Sequence, residues 1–219
     1  MEYIDYLNAI KECVITLDVV PEEFKTFELC SEAIAHLSSY NIKYSKPIFY
    51  YIPKNLLNKE LILFVFSSYY EIREDMFNYI PKKFLNRDFY EKIVSYKSEY
   101  LKIVPQKYIT KKMCETAFYS YTYFPEKFKT YDMAKYVVEK YGGNYLLLSD
   151  EYKDRKISLA TICEDCGMFR YINKQHLDYG FYKDVLEYYT KHYDKNSHTY
   201  QHIYRECNKE MRKIILKQL

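Results

Sequence analysis

The chain has 219 residues, of which 48% are hydrophobic and 29% are charged, and its formal net charge is +3. This near-balance argues against a dedicated duplex-binding protein, which carries a strong excess of Lys and Arg on one face. The 29 Tyr and 13 Phe are abundant, whereas only 4 Gly and 6 Pro interrupt the chain. Because an all-β fold needs a turn roughly every ten residues, the composition favours helices.

The six Cys are dispersed through a large chain, which favours reduced thiols in the cytoplasm over a disulfide framework. The first residues are acidic where a signal peptide is basic, and the longest apolar run, residues 61–66, is too short to span a bilayer. The sequence therefore predicts a cytoplasmic protein with no membrane segment.

The first predicted element is a helix over residues 2–14, which supplies a partial first unit. It belongs to an N-terminal cap over residues 1–20. Residues 1–50 carry 8 acidic residues against 4 basic ones, so this part of the chain is acidic and the remainder is basic.

Residues 21–190 are predicted to contain one pattern seven times, most visibly in YIPKNLLNKELILFVF from Tyr51 and YIPKKFLNRDFYEKIV from Tyr79. Each copy has an anchor residue, usually Pro, that follows an apolar residue and suits the first turn of a short helix. The anchor spacings of 32, 28, 24, 20, 24 and 24 residues differ by multiples of four, close to one helical turn. The anchors are Pro21, Pro53, Pro81, Pro105, Pro125, Ser149 and Asn173.

The fifth residue after each anchor is a Thr, Asn or Asp, the residue types whose side chains cap a helix N-terminus. An apolar residue follows three positions after each cap, and further apolar residues follow four to five positions later, as on one buried helix face. Each unit is therefore predicted to be a short helix, a capping residue and a longer helix. The predicted caps are Thr26, Asn58, Asn86, Thr110, Thr130, Asp154 and Asp178.

The second unit departs from this pattern on the outward face of its long helix. The positions five and six residues after the cap should face away from the core, and other units hold polar pairs there, such as Ser31 with Glu32. In the second unit they are Leu63 and Phe64. A helix that is apolar all round must be covered all round. The cover is either the irregular insertion over residues 33–50 or a second protein chain, and the polar faces of the other long helices favour a second chain.

Residues 191–219 are predicted as a C-terminal capping helix, with one charged side and one apolar side. The whole sequence thus predicts one all-α domain over residues 1–219, an α-solenoid of about seven short-helix/long-helix repeats with helical end caps. The apolar side of the capping helix carries Ile203, Cys207, Met211, Ile214 and Ile215.

The stretch YGGNYLLLSDEYKDRKISLATICEDCGMFRYINKQHLD, residues 141–178, resembles a repeat family of about 24 residues, catalogued as a domain of unknown function and found in giant viruses and some bacteria. The earlier repeats differ from it, because they use Pro at the anchor and lack the Gly. The resemblance implies an all-helical repeat fold and no reaction, and a viral member would act in the host cytoplasm. The matching residues are Gly143, Gly167, Ser149, Asp154 and Asp178.

Two short motifs have spacings seen in metal sites, CEDC at residues 163–166 and HTYQH at residues 198–202. The 31 residues between them exceed the spacing of the familiar zinc finger. His176 replaces an apolar residue of the repeat and is interpreted as a structural residue. The sequence has no Gly-rich phosphate loop, nucleophile elbow or HExxH motif, so we predict no metal, no cofactor and no catalytic residue.

The predicted function is a non-catalytic protein–protein interaction scaffold, because Tyr is enriched in protein interfaces. Its predicted partner is another protein or a second copy of the chain, bound at Leu63 and Phe64. The alternative is a repeat protein that binds single-stranded RNA by stacking bases on aromatic rings between Lys contacts. A base reader needs an aromatic or polar residue at one fixed position of each repeat, and the variable Tyr positions favour a protein partner.

Overall fold

The computed structural model describes residues 1–36, 44–68 and 74–218. Within these ranges the chain forms α-helices and short 3-10 helices and no β-strand, which confirms the all-α fold class. None of the described helices combines the length and the apolar composition needed to cross a bilayer. The α-helices are α1 (Tyr3–Lys11), α2 (Phe27–Ala35), α3 (Lys59–Ser68), α4 (Arg87–Tyr96), α5 (Lys111–Thr116), α6 (Tyr131–Lys140), α7 (Arg155–Glu164), α8 (Tyr179–His192) and α9 (His198–Gln218).

The contacts divide the chain into two compact units, Met1–Ile109 and Thr110–Leu219. The first unit contains α1 to α4, and each of these helices packs against the next one in the chain. The second unit contains α5 to α9 and follows the same rule. The single domain over residues 1–219 stays a prediction.

All seven predicted caps lie at the N-cap of an α-helix. The side-chain oxygen of each cap accepts a hydrogen bond from the backbone N–H three residues later, which is one of the groups without a partner inside the helix. The N···O distances range from 2.7 Å at Asp178 to 3.3 Å at Thr130. The five other bonds join Thr26 to Leu29, Asn58 to Leu61, Asn86 to Phe89, Thr110 to Met113 and Asp154 to Ile157.

The long helices bury the positions three, four, seven and eight residues after the cap. All four positions are buried in α2, α3, α4, α6 and α7. In α8 the last of them, Leu186, is half-buried, and α5 ends at Thr116, before the last two positions. This spacing is that of one buried stripe on a helix, apolar in all of these helices except α7, where Ser158 and Thr161 hold two of the positions, and it confirms the predicted core face.

The segment before each long helix contains two helical pieces, whereas the sequence predicts one short helix. A three-residue 3-10 helix follows six of the anchors, and a turn follows Pro53. It closes on the carbonyl of the anchor, as in Phe24, whose N–H donates to Pro21 O at 3.1 Å. A further 3-10 helix precedes each anchor; these are Leu17–Val19, Ile48–Tyr50, Glu74–Tyr79, Ser98–Ile103, Phe118–Tyr123, Gly142–Leu147 and Cys166–Tyr171. Such short i to i+3 turns carry no apolar period of their own, so the sequence pattern does not separate them.

Three hydrogen bonds of one kind join different repeats inside the two compact units. In each, a side chain donates to the carbonyl of the residue eight positions after the cap of an earlier repeat; in α3 and α7 this carbonyl lies in the last turn, where helix carbonyls lack a partner, and the bond is buried. Because two of the three donors are Tyr hydroxyls, these rings fill the core and satisfy a backbone group at once. The bonds join Tyr100 to Phe66, Asn144 to Phe118 and Tyr189 to Ile162, at 2.9, 3.0 and 2.9 Å.

A second recurrent hydrogen bond links the N-terminal ends of neighbouring helices. The residue directly after one cap bonds the cap side chain 23 residues further on. Because α1 takes part through its first residue, α1 stands to α2 as α6 stands to α7. The opening helix predicted over residues 2–14 is present as α1, but it ends at Lys11, and the backbone leaves the helical region at Cys13, whose φ is 58°. The bonds join Tyr3 to Thr26, Tyr131 to Asp154 and Arg155 to Asp178, at 3.0, 2.8 and 2.8 Å.

Candidate protein-binding groove on α3

Leu63 and Phe64 lie on the side of α3 that faces away from its buried stripe. Both side chains are half-buried, whereas the four core positions of α3 are buried. The two residues line an open groove of about 510 Å³, which we call the α3 groove. The structure therefore places the predicted binding residues together on an outward, accessible surface.

Three consecutive helices build the α3 groove. Two Ser hydroxyls in it donate to carbonyls of their own helices, Ser31 to Phe27 and Ser67 to Phe64, both at 2.8 Å. Phe27 is 39% exposed. The remaining surface is an apolar floor with the carboxylate of Glu60 at its rim, which is how the core and rim of a protein interface are composed. The lining residues are Phe27 and Ser31 of α2, Glu60, Leu61, Leu63, Phe64 and Ser67 of α3, and Tyr96 of α4.

The described part of the insertion over residues 33–50 does not line this groove. Residues 37–43 of the insertion lie outside the described residues. Beyond them, the buried ring of Phe49 packs 6.0 Å from the ring of Phe66, on the core side of α3. These described residues thus add to the core and leave the outward face of α3 accessible.

A second groove lies on α7, where the sequence predicts no site. Leu159 and Ala160 occupy the positions five and six residues after the cap Asp154, so the expectation that the other long helices keep this face polar is wrong for α7. Both residues are half-buried and line an open groove of about 520 Å³, which we call the α7 groove. The signal that locates them is the same count from the cap.

The two grooves use matching positions but differ in charge. Glu60 is the charged residue that lines the α3 groove, two residues after its cap. Lys156 holds that position in the α7 groove. In both grooves the next helix contributes a Tyr ten residues after its own cap, namely Tyr96 or Tyr188. The charged residues of the α7 groove are Lys135, Glu139, Lys156 and Glu164.

The CEDC motif lies at the end of α7 with both thiols half-buried. Burial raises the pKa of Cys163 to about 12, and burial is also the main cause that raises the pKa of Cys166. A thiol that stays protonated at neutral pH is a poor nucleophile and a poor metal ligand. Among the described residues, no three His, Cys, Asp or Glu side chains come together where they could hold a metal ion.

His176 makes a structural contact. Its Nε2 lies 3.0 Å from the carbonyl oxygen of Lys153 in the preceding unit. At the same position of that unit, the hydroxyl of Tyr152 donates to the carbonyl of Lys129 at 2.6 Å. His176 thus substitutes for a Tyr in a recurrent contact between units, which agrees with the structural interpretation of this residue.

Comparison of the chain with protein-family models, with curated proteins and with solved structures finds no match. The resemblance of residues 141–178 to a viral and bacterial repeat family therefore stays a prediction.

Proposed function

We propose that the chain is a non-catalytic protein-interaction scaffold, an α-solenoid of about seven repeats with helical end caps, whose outward helix faces bind another protein. The main support for this proposal is the composition of the α3 groove. Leu63 and Phe64 are large apolar residues on a face that is polar in α2 and α4, the two helices beside them. A half-buried apolar patch rimmed by polar residues suits a surface that is wet when free and dry when bound.

The recurrent hydrogen bonds support the solenoid. Within each compact unit they join residues of different repeats, and their acceptors stand at matched positions relative to the caps, so the repeats that they connect support one another. A repeat array derives its stability from such nearest-neighbour contacts and presents one extended surface to partners.

The chemistry of the α3 groove supports binding without catalysis. A nucleophile needs a base within hydrogen-bond reach. The hydroxyls of Ser31 and Ser67 instead donate to backbone carbonyls of their own helices. Glu60 lies at the rim as the carboxylate among the lining residues.

One position bears on the RNA-binding alternative. The residue two places before each anchor is hydrophobic in all seven units and buried in none. A reader of one base per repeat needs a stacking ring at each step, and three of these seven residues have no ring. Asp150 and Glu151 also follow Leu147 closely and would repel phosphate. The seven residues are Val19, Tyr51, Tyr79, Ile103, Tyr123, Leu147 and Tyr171.

The double change Leu63→Glu with Phe64→Lys tests the proposed function. We expect the variant to melt near the wild-type temperature and to lose binding, measured both as self-association in sedimentation velocity and as protein captured from an extract of the native cell. The matched control is Glu91→Lys with Lys92→Glu, at the same positions of α4, which should keep binding.

Three results would contradict this proposal. Unchanged binding by the Leu63/Phe64 variant would show that the groove has no partner. Unfolding of both this variant and the milder Leu63→Gln would show that the face belongs to the core. Salt-sensitive binding of the wild type to a single-stranded RNA oligonucleotide, lost in the variant, would support the RNA-binding alternative.

A further inference from the structure

The last turns of α9 carry apolar surface that is not covered. α9 packs against α8 and buries Ile203, Cys207 and Met211, as predicted. The structure then departs from the prediction, because Ile215, which the sequence predicts on the apolar side of the helix, is 46% exposed. The neighbouring Leu216 is 71% exposed. We call residues 212–216, from Arg212 to Leu216, the α9 tip.

The α9 tip is also basic. Arg212 and Lys213 are exposed, and Lys213 pairs with Glu210 at 2.6 Å on the same helix. Residues 205–218 contain five basic residues against two acidic ones. A segment that combines exposed apolar residues with an excess of positive charge is suited to an apolar groove with an acidic rim.

The α3 groove has such a rim. Glu60 lines it, two residues after the cap of α3. Glu28 and Asp88 hold the same position in α2 and α4, the helices packed on either side, and all three carboxylates are exposed. The first turns of α3 and α4 also hold an exposed cation, Lys59 and Arg87, so the negative charge available inside the groove is that of Glu60, the charged residue that lines it.

The α7 groove has a similar apolar floor but presents a cation at this position. Lys156 replaces Glu60, and the other charged lining residues are Lys135, which pairs with Glu139 at 3.6 Å, and Glu164. The two basic and two acidic residues balance, so a basic segment gains less from the α7 groove than from the α3 groove, and it meets Lys156 at the position of Glu60. Because the two grooves have nearly the same volume, a difference in binding between them would reflect their charges and not their size.

We propose that the α3 groove binds the α9 tip of a second copy of this chain. Ile215 and Leu216 of one copy pack on Leu63 and Phe64 of the other, and Arg212 pairs with Glu60. This inference rests on the proposed function, because it names the partner of the same groove. Since different surfaces of the two copies meet, association either closes into a ring or extends into a chain.

Sedimentation velocity of the full chain over a range of concentrations tests this inference with two variants. Leu63→Arg places a charge in the apolar floor of the α3 groove. Leu216→Glu places a charge on the apolar surface of the α9 tip, and since Leu216 is 71% exposed this change leaves the core intact. We expect the wild type to associate with rising concentration and each variant to associate at least tenfold more weakly. The matched control is Leu159→Glu in the α7 groove, which should associate like the wild type.

A mixing experiment gives the sharpest result. The groove variant retains an intact tip and the tip variant retains an intact groove, so the two together should form a 1:1 complex that neither forms alone. The charge pair is tested in the same way, since Glu60→Lys should weaken association and Arg212→Glu in the other copy should restore it.

The outcomes distinguish this inference from the proposed function. A wild type that stays monomeric at every concentration, or a tip variant that associates like the wild type, overturns the inference. If the groove variant still loses a captured foreign protein in that case, the proposed function stands. If Leu63→Arg behaves as wild type in self-association and in capture, the α3 groove binds nothing and both proposals fail.

Discussion

The two compact units fill equivalent buried positions with interchangeable residues and differ on their outward faces. The position four residues after the cap holds Cys30 in α2 of the first unit and Cys114 in α5 of the second, and both are fully buried. The position two residues after the cap, in contrast, holds Glu60 in α3 and Lys156 in α7. Packing against neighbouring helices keeps the first kind of position buried, with side chains that range from Ala134 to Tyr90, whereas the second kind is exposed and can change its charge at little cost to the core.

The largest expected effect is the loss of unfolding free energy at alkaline pH, which tests whether the equivalent thiols Cys30 and Cys114 are buried alike. Burial raises the pKa of both Cys30 and Cys114 to about 12. Because the folded pKa lies above that of the unfolded thiol, the stability that each thiol contributes is complete below the unfolded pKa and is lost as the pH rises towards 12. At one pH unit above the unfolded pKa, the two thiols together cost about 3 kcal/mol of unfolding free energy.

The double change Cys30→Ala with Cys114→Ala checks this prediction, because α6 holds Ala134 at the same position. Urea unfolding at neutral pH and near pH 10 should show a smaller loss of stability in the variant than in the wild type, by about 3 kcal/mol. The single changes should each recover half of this difference. An identical pH dependence in all four proteins would mean that neither thiol has a raised pKa, and unequal recovery by the two single variants would mean that the positions are not buried alike.

The buried hydrogen bond between repeats, which occurs inside both compact units, gives the next largest effect. Tyr100→Phe in the first compact unit and Tyr189→Phe in the second each leave a buried carbonyl without its donor, which should cost about 1–2 kcal/mol of unfolding free energy. The control is Tyr119→Phe, since this ring is 56% exposed. Urea unfolding of the three variants measures the losses. A loss for one of the two buried Tyr but not for the other would break the equivalence of the units.

The cap Thr110, the first residue of the second compact unit, gives an expected loss of about 1 kcal/mol of unfolding free energy. Thr110→Ala removes the oxygen that accepts the Met113 N–H at 3.2 Å, and such N-caps contribute about this much. Thr116→Ala in the same helix should cost much less, because its hydroxyl donates to a helix carbonyl, that of Lys112, on an exposed surface. Thermal unfolding compares the two variants, and equal losses would refute the register of the repeat.

The caps and the buried stripes could be predicted because both are local. A short polar side chain at one position and apolar residues three to eight positions later belong to a single helix, so the sequence contains both signals. The count from the cap also locates the candidate site, Leu63 and Phe64, and it locates Leu159 and Ala160 equally well.

The remaining features depend on contacts between elements. Gly142 is an example, since a Cβ there would lie 2.9 Å from the Cβ of Asp165 and 3.0 Å from the carbonyl oxygen of Thr161. The sequence singles out its neighbour Gly143 instead, because a pattern does not show which backbone approaches another. The exposure of Ile215 likewise depends on how much of α9 its neighbours cover, which no period within α9 contains.

The smallest expected effect concerns an ion pair that occurs once in each of three repeats. Glu22, Glu126 and Asp150 each directly follow an anchor and pair with a Lys three residues later. The other four units place a Leu or Ile at this Lys position, and none of them has an acid after the anchor. The Lys side chains are only 8–23% exposed, whereas their partners are 71–97% exposed. The acid therefore accompanies a Lys that packs on the protein, as its aliphatic stem allows.

Glu126→Gln should cost about 0.5 kcal/mol, because the pair is exposed on one side and screened by water. The further change Lys129→Leu copies the residue pair of the other units and should recover this loss, since it replaces a partly desolvated ammonium with an apolar side chain. Urea unfolding at low and at high salt measures both, and the cost of Glu126→Gln should shrink as salt screens the pair. If Lys129→Leu instead adds to the loss, the ion pair and the apolar residue are not interchangeable at this position, and the units are less alike than their caps indicate.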